Sequence, residues 1–444
     1  MKGKSMIVSI ALCLISLCAH AQDDSQLPQV GTLHLTLRQA IDIALAENPT
    51  IRVADKDVQL KKTANREAWQ SLLPELNAQA SLQHTLLAAE MKLGDNKFKM
   101  GKDNTNTVAA SATLSLPVFA PAVYQNIRLT KADIQIAQEK ARGSRLDLVN
   151  QVTKAYYAAL LAQDSYQVMK ESYNISKQNY DIVNAKFGVG SVSEYDKISA
   201  EVQMRGMNSN MVSAENGVTL SQLKLKVLMG ITENVNLVID DKLENYESQL
   251  LLPQIDAAER ELSNNTKMRQ LELNSTLLKR TMSVQRTNFM PTLAFQLQGQ
   301  YQSLYNNDWA LWNYEYAPSA SFAIALSIPL FRASNFTGLK KTRLQLSQLE
   351  DTRVNTERQL SMEVESYSRN MAASIAQTES NRQAVSQADK AVNIAAKRYE
   401  VGRGTILELN QSEVALTQSK LTYHQSIYDY LTNRADLNYT LGRE

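Results

Sequence analysis

The sequence predicts a mainly α-helical chain built as two tandem halves, with a pair of β-strands in each half. Three observations lead there. The stretch Lys186–Lys197, KFGVGSVSEYDK, returns as Arg398–Glu408, RYEVGRGTILE. Phe187 and Tyr399, Gly190 and Gly402, and Asp196 and Glu408 correspond at a common offset of 212 residues. Long proline-free runs carry apolar residues at heptad spacing, as in coiled-coil seams. Four other segments alternate apolar and polar side chains, the pattern of strands with one apolar and one polar face.

Each copy of the repeated stretch reads as the tip of a helical hairpin. Glycine supplies left-handed backbone where the first helix ends, and Ser193 or Thr405 caps the returning helix. Few Gly and Pro, low aromatic content and abundant Ala, Gln, Ser, Asn and Leu suit long helices with polar outer faces.

The N-terminus has the form of a secretory signal. Lys2 and Lys4 are its basic head, Met6–Leu17 its apolar run, and Ala19-His20-Ala21 its small-x-small cleavage site. A lipoprotein site at Cys18 is the alternative, opposed by the bulky Leu17 before it. Cleavage after Ala21 removes both cysteines, Cys13 and Cys18, and leaves no disulfide. The full chain has 47 basic and 45 acidic residues, and loss of Lys2 and Lys4 equalises them at 45. Such a balance gives no support to nucleic-acid binding. No stretch beyond the signal is long and apolar enough for a membrane helix, so a membrane role requires strands.

The first repeat spans residues 22–230. Helices are expected over His34–Glu47 and from Thr50 to Leu73. Leu76, Ala78, Ala80 and Leu82 then alternate with Asn77, Gln79, Ser81 and Gln83; Val108, Ala110, Ala112, Leu114 and Leu116 alternate with Ser111, Thr113 and Ser115. Strands at about residues 76–87 and 105–116 follow, joined by an exposed loop, Ala88–Asn104. Each has the length of a tilted membrane-spanning strand, roughly ten residues. A helix from Ala122 to Phe187 would be about 100 Å long. Its seam runs Val152, Ala159, Tyr166, Tyr173, Tyr180, Phe187. The tip spans 187–196, and the returning helix runs from Val192 to Met229.

A connector over 231–255 leads to the second repeat, 256–444. A helix begins near Asp256 and ends before Pro291. Strands are expected at about 292–302 and 319–328. Between them lie Tyr305, Trp309, Trp312, Tyr314 and Tyr316, a cluster suited to a membrane–water interface. A long helix runs from Ala333 to Tyr399, the tip spans 399–408, and the closing helix runs from Thr405 to Leu441. That helix carries two stripes, one beginning Leu407, Val414, Leu421 and one beginning Leu409, Leu416, Tyr423. Two seams imply neighbours on two sides, as in a closed ring.

The signal, the tandem halves, the alternating strand pairs and the tips K-F-G-V-G and R-Y-E-V-G together resemble the TolC-like outer-membrane efflux protein family. The resemblance covers the whole mature chain. It implies a fold that is mainly α with transmembrane β: a trimeric α/β-barrel with four membrane strands per chain and long coiled-coil helices forming a periplasmic tunnel. It implies an exit duct serving a tripartite efflux or type I secretion system, with a periplasmic adaptor and an inner-membrane pump as partners. It places adaptor docking at the tips, with Phe187, Gly190 and Gly402 as the matching residues. It also places a gate there, where acidic residues line the narrow end and Arg–Asp and Tyr contacts hold neighbouring hairpins. Asp196, Tyr399 and Glu408 match that pattern. Gly404 stands where an arginine is expected, so Arg403, one place earlier, is the substitute partner for Asp196. Gln411 stands where a second acidic residue is expected.

Catalysis finds little support. The mature chain has three scattered histidines, His34, His84 and His424, and neither a G-x-G-x-x-G nor a P-loop. Met204, Met207 and Met211 share a helix and could pass soft cations, but packing explains their spacing better. No catalytic, metal or cofactor site is expected. The rival reading is an exported coiled-coil stalk, which accounts for the heptads but not for the strands or the aromatic loop.

Overall fold

The computed structural model describes residues 32–94, 96–231, 235–252 and 262–443. The expected signal, with Cys18 and the Ala21 cleavage site, and the stretch from Asp256 to residue 261 lie outside the described residues.

Strand β1 (Thr32–His34) precedes helices α1 (Leu37–Glu47) and α2 (Pro49–Gln70). The first expected helix therefore starts three residues late. Thr36 and Gln39 form a capping box that fixes the start, which leaves His34 extended. Strands β2 (Glu75–Thr85), β3 (Ala89–Leu93), β4 (Asn96–Met100) and β5 (Thr105–Phe119) follow, then helices α3 (Pro121–Gly188) and α4 (Glu194–Met229). The connector holds β6 (Asn236–Val238), paired in parallel with β1, and a 3₁₀ segment, Leu243–Gln249. The second repeat supplies α5 (Thr266–Thr287), β7 (Thr292–Asn306), β8 (Ala317–Ser327), α6 (Ala333–Glu400) and α7 (Ile406–Leu441).

The duplication is residue for residue in the hairpins. Helices α3 and α6 each have 68 residues, and α4 and α7 each have 36. Both closing helices end on a left-handed glycine, Gly230 at φ 72° and Gly442 at φ 69°. A matching asparagine meets each end. Asn48 caps α2 by accepting from Thr50 N and donates from Nδ2 to the Leu228 carbonyl at 2.7 Å. Asn265 caps α5 by accepting from Lys267 and Met268 and donates to the Thr440 carbonyl at 2.7 Å. One side chain thus satisfies orphan groups at two helix ends.

The two expected strand pairs join into one antiparallel sheet, ordered β2-β5-β7-β8. Registers align the faces across both repeats. Leu76, Leu114, Leu297 and Phe322 form one cross-strand row, and Leu116, Phe295 and Ile324 another. Polar rows lie on the opposite face: Asn77, Thr113, Gln298 and Ser321, and Gln79, Ser111, Gln300 and Ser319. One departure lies in the β2–β5 loop, expected to be irregular. It contains the β3–β4 hairpin, in which Met91 faces Phe98 and left-handed Gly94 makes the turn. The polar residues there obscured the short alternation around Met91 and Phe98.

The main core lies where α1, α3, α4, α7 and the connector converge. Tyr156, Leu160, Leu225, Met229, Leu243 and Ile427 are fully enclosed there. Each such side chain contributes roughly 1.5–3 kcal/mol by leaving water. Tyr430 ties α7 to the connector: its hydroxyl donates to the Leu251 carbonyl at 2.7 Å and accepts from Leu251 N at 2.9 Å.

Candidate functional site: the paired helical tips

The two tips lie against each other within one chain. Val183 of α3, Ala200 of α4, Ala395 of α6, and Ile406 and Leu409 of α7 form a second, smaller core, with Tyr180, Val192 and Tyr399 packed on it. The turns above it are built alike. Gly190 N donates to the Phe187 carbonyl and Ser191 N to that of Lys186, both at 2.9 Å. In the second tip, Gly402 N donates to Tyr399 at 3.2 Å and Arg403 N to Arg398 at 2.8 Å. Gly190 and Gly402 hold φ of 75° and 73°, and nothing lies within 4 Å of where a Cβ would stand on either. Beside them Val189 and Val401 are 77% and 69% exposed.

The acidic pair expected to line a gate occupies equivalent places in the first turns of α4 and α7. Asp196 completes a capping box, accepting from Ser193 N at 3.2 Å and from Ser193 Oγ at 2.9 Å. Glu408 N donates to Thr405 Oγ1 at 3.2 Å, and the Glu408 carboxylate turns aside from the cap. It pairs with Arg398 at 3.5 Å.

Arg403 makes no ion pair with Asp196 within the chain, among the described residues. Its carbonyl accepts from Arg398 Nη2 at 3.3 Å. Arg398, not singled out from the sequence, is thus the cation that links the second tip's turn to its returning helix. The arginine at the start of the repeated stretch was its visible signal. Gly404 also acquires a reason. A Cβ there would lie 3.1 Å from both Arg398 Cβ and Tyr399 N, so a side chain at this position would push the turn aside by a few tenths of an ångström.

Two lysines lie over the tip aromatics. Lys186 Nζ is 5.1 Å from the Tyr399 ring centroid, and Lys197 Nζ is 5.0 Å from that of Phe187. Tyr399 is partly buried. Its buried hydroxyl has no hydrogen-bond partner among the described residues. Burial, and then the Asp196 charge, push the phenol above its ordinary value, so it stays neutral.

His34 bonds to Asp240, His84 stacks on Trp309, and His424 lies in a cleft beside Asp164. Met207 is buried between helices. Among the described residues no three His, Cys, Asp or Glu side chains converge as metal ligands. No helix among them is long and apolar enough to cross a membrane.

The aromatic loop closes over the far end of the sheet from the tips. Asn106 of β5 donates to the Asp308 carbonyl at 2.5 Å and to Tyr314 Oη at 3.1 Å. Trp312 remains 84% exposed.

Comparison with known proteins agrees with this architecture. The family model "Outer membrane efflux protein" matches residues 40–231 and 257–443. Outer membrane protein TolC of Vibrio cholerae is 22% identical over 334 residues, 73% of this chain and 75% of that protein. The alkaline protease secretion protein AprF of Pseudomonas aeruginosa is 22% identical over 417 residues, 92% of this chain and 84% of its own. The crystal structure of the Campylobacter jejuni CmeC outer membrane channel superposes with a TM-score of 0.73 at 18% identity, covering 91% of this chain and 85% of that one. With both repeats matched, the chain belongs to the outer membrane efflux protein family, and it is an outer-membrane channel for efflux or type I secretion.

Proposed function

We propose that three copies of this chain close one twelve-stranded barrel in the outer membrane, and that their helices continue it as a periplasmic tunnel. The observation that carries this reading is the open sheet. Among the described residues, strand β2 pairs only with β5 and β8 only with β7, which leaves both edges bare there. On β8, Phe322, Ile324 and Leu326 are 73%, 66% and 62% exposed. Bare edges are not tolerated in hydrocarbon, and closure by further copies removes them. The closing helix supports the same reading. Leu409 and Leu416 of one α7 stripe are buried within the chain, while Leu407 and Val414 of the other are 54% and 44% exposed. The occupant of that second stripe is a neighbouring copy.

In this assembly the tips face the periplasm. The exposed turns around Phe187, Gly190 and Gly402 receive a periplasmic adaptor that couples the duct to an inner-membrane pump. Asp196, Tyr399, Arg403 and Glu408 ring the narrow end, with Arg398 now beside them. The pump selects the cargo, because a wide polar tunnel binds none of the candidates strongly. The chain reaches the outer membrane after cleavage following Ala21; modification at Cys18 is the alternative outcome of mass analysis of the mature N-terminus.

Fractionation tests the assembly. The protein should require detergent for extraction and should run as a trimer on crosslinking. A chain that dissolves in buffer as a monomer or two-stranded rod would instead be a stalk.

A further inference from the structure

Glu413 lies on α7, seven residues past Ile406, or about 10 Å along the helix. It is 6% exposed. Its carboxylate accepts from Asn179 Nδ2 and, at 3.3 Å, from Ser176 Oγ, both on α3. Farther from the tip, Ser172 Oγ and Thr417 Oγ1 are 2.7 Å apart. A short polar stretch therefore interrupts the seam between the first repeat's long helix and the second repeat's closing helix. Val183, Ile406 and Leu409 seal that seam on its tip side. The two repeats differ here. The residue equivalent to Glu413 is Glu201, which pairs with Arg205 at 2.8 Å on a solvated face.

Charged groups on the surrounding helices are engaged elsewhere or face water. On α3, Glu171 pairs with Lys420 of α7 at 3.1 Å, and Lys177 and Asp181 are exposed. On α7, Glu408 pairs with Arg398. On α6, Asp389 and Lys390 are exposed. On α4, Glu201 and Arg205 pair with each other. Tyr173 and Tyr180 are the nearby phenols of α3. None of these groups biases the Glu413 carboxyl. Burial pushes it up to about 7, against the smaller pull of the Ser176 and Asn179 hydrogen bonds.

We propose that Glu413 is a proton-operated latch between the two hairpins: protonated, it keeps α7 seated on α3, and ionised, it lets the tip-proximal turns of α7 part from α3. The latch is a property of one chain and does not require the channel reading. Its consequence for the aperture, widening as pH rises, does rest on that reading. The sign follows from linkage. A carboxyl raised in the seated state and at its ordinary value of 4.5 in the parted state favours seating fully below 4.5. Seating then weakens about tenfold per pH unit as pH rises toward 7, and no further above it.

Hydrogen exchange on the full protein in detergent, corrected for intrinsic rates, tests this across pH 5–8. Protection over residues 406–417 should fall toward neutral pH in the wild type and stay level in Glu413→Gln, which keeps the shape and donates in place of the protonated acid. A pH slope equal in the two proteins, or absent from the wild type, overturns the proposal. Should Glu413→Gln fail to assemble, Asn179→Leu removes a donor to the carboxylate and should move the wild-type midpoint upward; an unmoved midpoint overturns the proposal equally. Neither readout depends on conductance, so failure of the latch and failure of the channel reading are distinguishable.

Discussion

Asn265 holds the end of α7 by donating from Nδ2 to the Thr440 carbonyl at 2.7 Å, while its Oδ1 caps α5. Beside it, left-handed Gly442 lies so close to the Asn264 carbonyl that a Cβ would overlap the oxygen. Asn48, Gly230 and the Glu47 carbonyl repeat the joint, with a Cβ on Gly230 2.8 Å from that oxygen. Asn265→Ala should lose about 0.5–2 kcal/mol of cap alone, and more through the orphaned Thr440 carbonyl. Gly442→Ala and Gly230→Ala should each destabilise further, since both strain φ and clash with backbone. Denaturant unfolding of the detergent-solubilised protein reads this. Wild-type midpoints in the glycine variants would contradict the joint.

The row alignment of the sheet separates an apolar face from a polar one, and in the proposed barrel the apolar face meets lipid. Ile324 shares a row with Phe295 and Leu116, and Ser321 with Gln298, Thr113 and Asn77. Ile324→Arg should therefore cost roughly 2–4 kcal/mol near the bilayer midplane and reduce assembly, whereas Ser321→Arg should assemble normally on the lumen side. Heat-stability of the assembled band in membranes is the measurement. The reverse result would turn the sheet inside out.

Much of this fold was legible because its periods are simple. The heptads of α3 and α7 and the alternation of β2, β5, β7 and β8 are one-dimensional signals. What was not legible depends on the third dimension. Nothing near Asn48 or Asn265 in sequence announces a carbonyl 175 or 180 residues away. Pairing of β5 with β7 unites the repeats through residues far apart in the chain. At the tip, the repeat marked Asp196 and Glu408 as equivalent positions, but which cation pairs with a carboxylate there depends on turn geometry. Arg403 is exposed, and Arg398, five residues earlier, reaches back across the turn to the Arg403 carbonyl.

The turns at Gly190 and Gly402 offer a way to test docking without disturbing packing, since no atom lies within 4 Å of either would-be Cβ. A bulky residue there strains left-handed backbone by roughly 1–2 kcal/mol, but clashes with nothing in the chain. Val189 and Val401, exposed on the same turns, carry no such strain. Val189→Asp and Val401→Asp, and leucine at Gly190 or Gly402, should impair export while trimer formation and membrane insertion survive. Export assays paired with crosslinking to the adaptor decide it. Normal export in all four variants would move docking away from the tips.

The Arg398–Glu408 pair gives the gate a signed electrical test. Both side chains are about half exposed, at 55% and 47%, so the pair contributes little to overall stability. Its effect is local: Arg398 neutralises Glu408 and holds the Arg403 carbonyl. Three Glu408 carboxylates around one axis would attract cations, most strongly where the opening is narrow. Glu408→Gln should therefore lower cation preference, and Arg398→Ala should raise it by leaving the carboxylate uncompensated. Arg398→Ala should also raise conductance, because the turn loses its tie to α7; Arg403→Ala should do so less, since only a contact to a neighbouring chain remains for that side chain to break. Planar-bilayer recordings of reversal potential and conductance separate these outcomes. Selectivity unchanged in both Glu408→Gln and Arg398→Ala would remove the pair from the lumen. A conductance rise larger in Arg403→Ala than in Arg398→Ala would return the restraint to Arg403 and its expected partner, Asp196 of an adjacent hairpin.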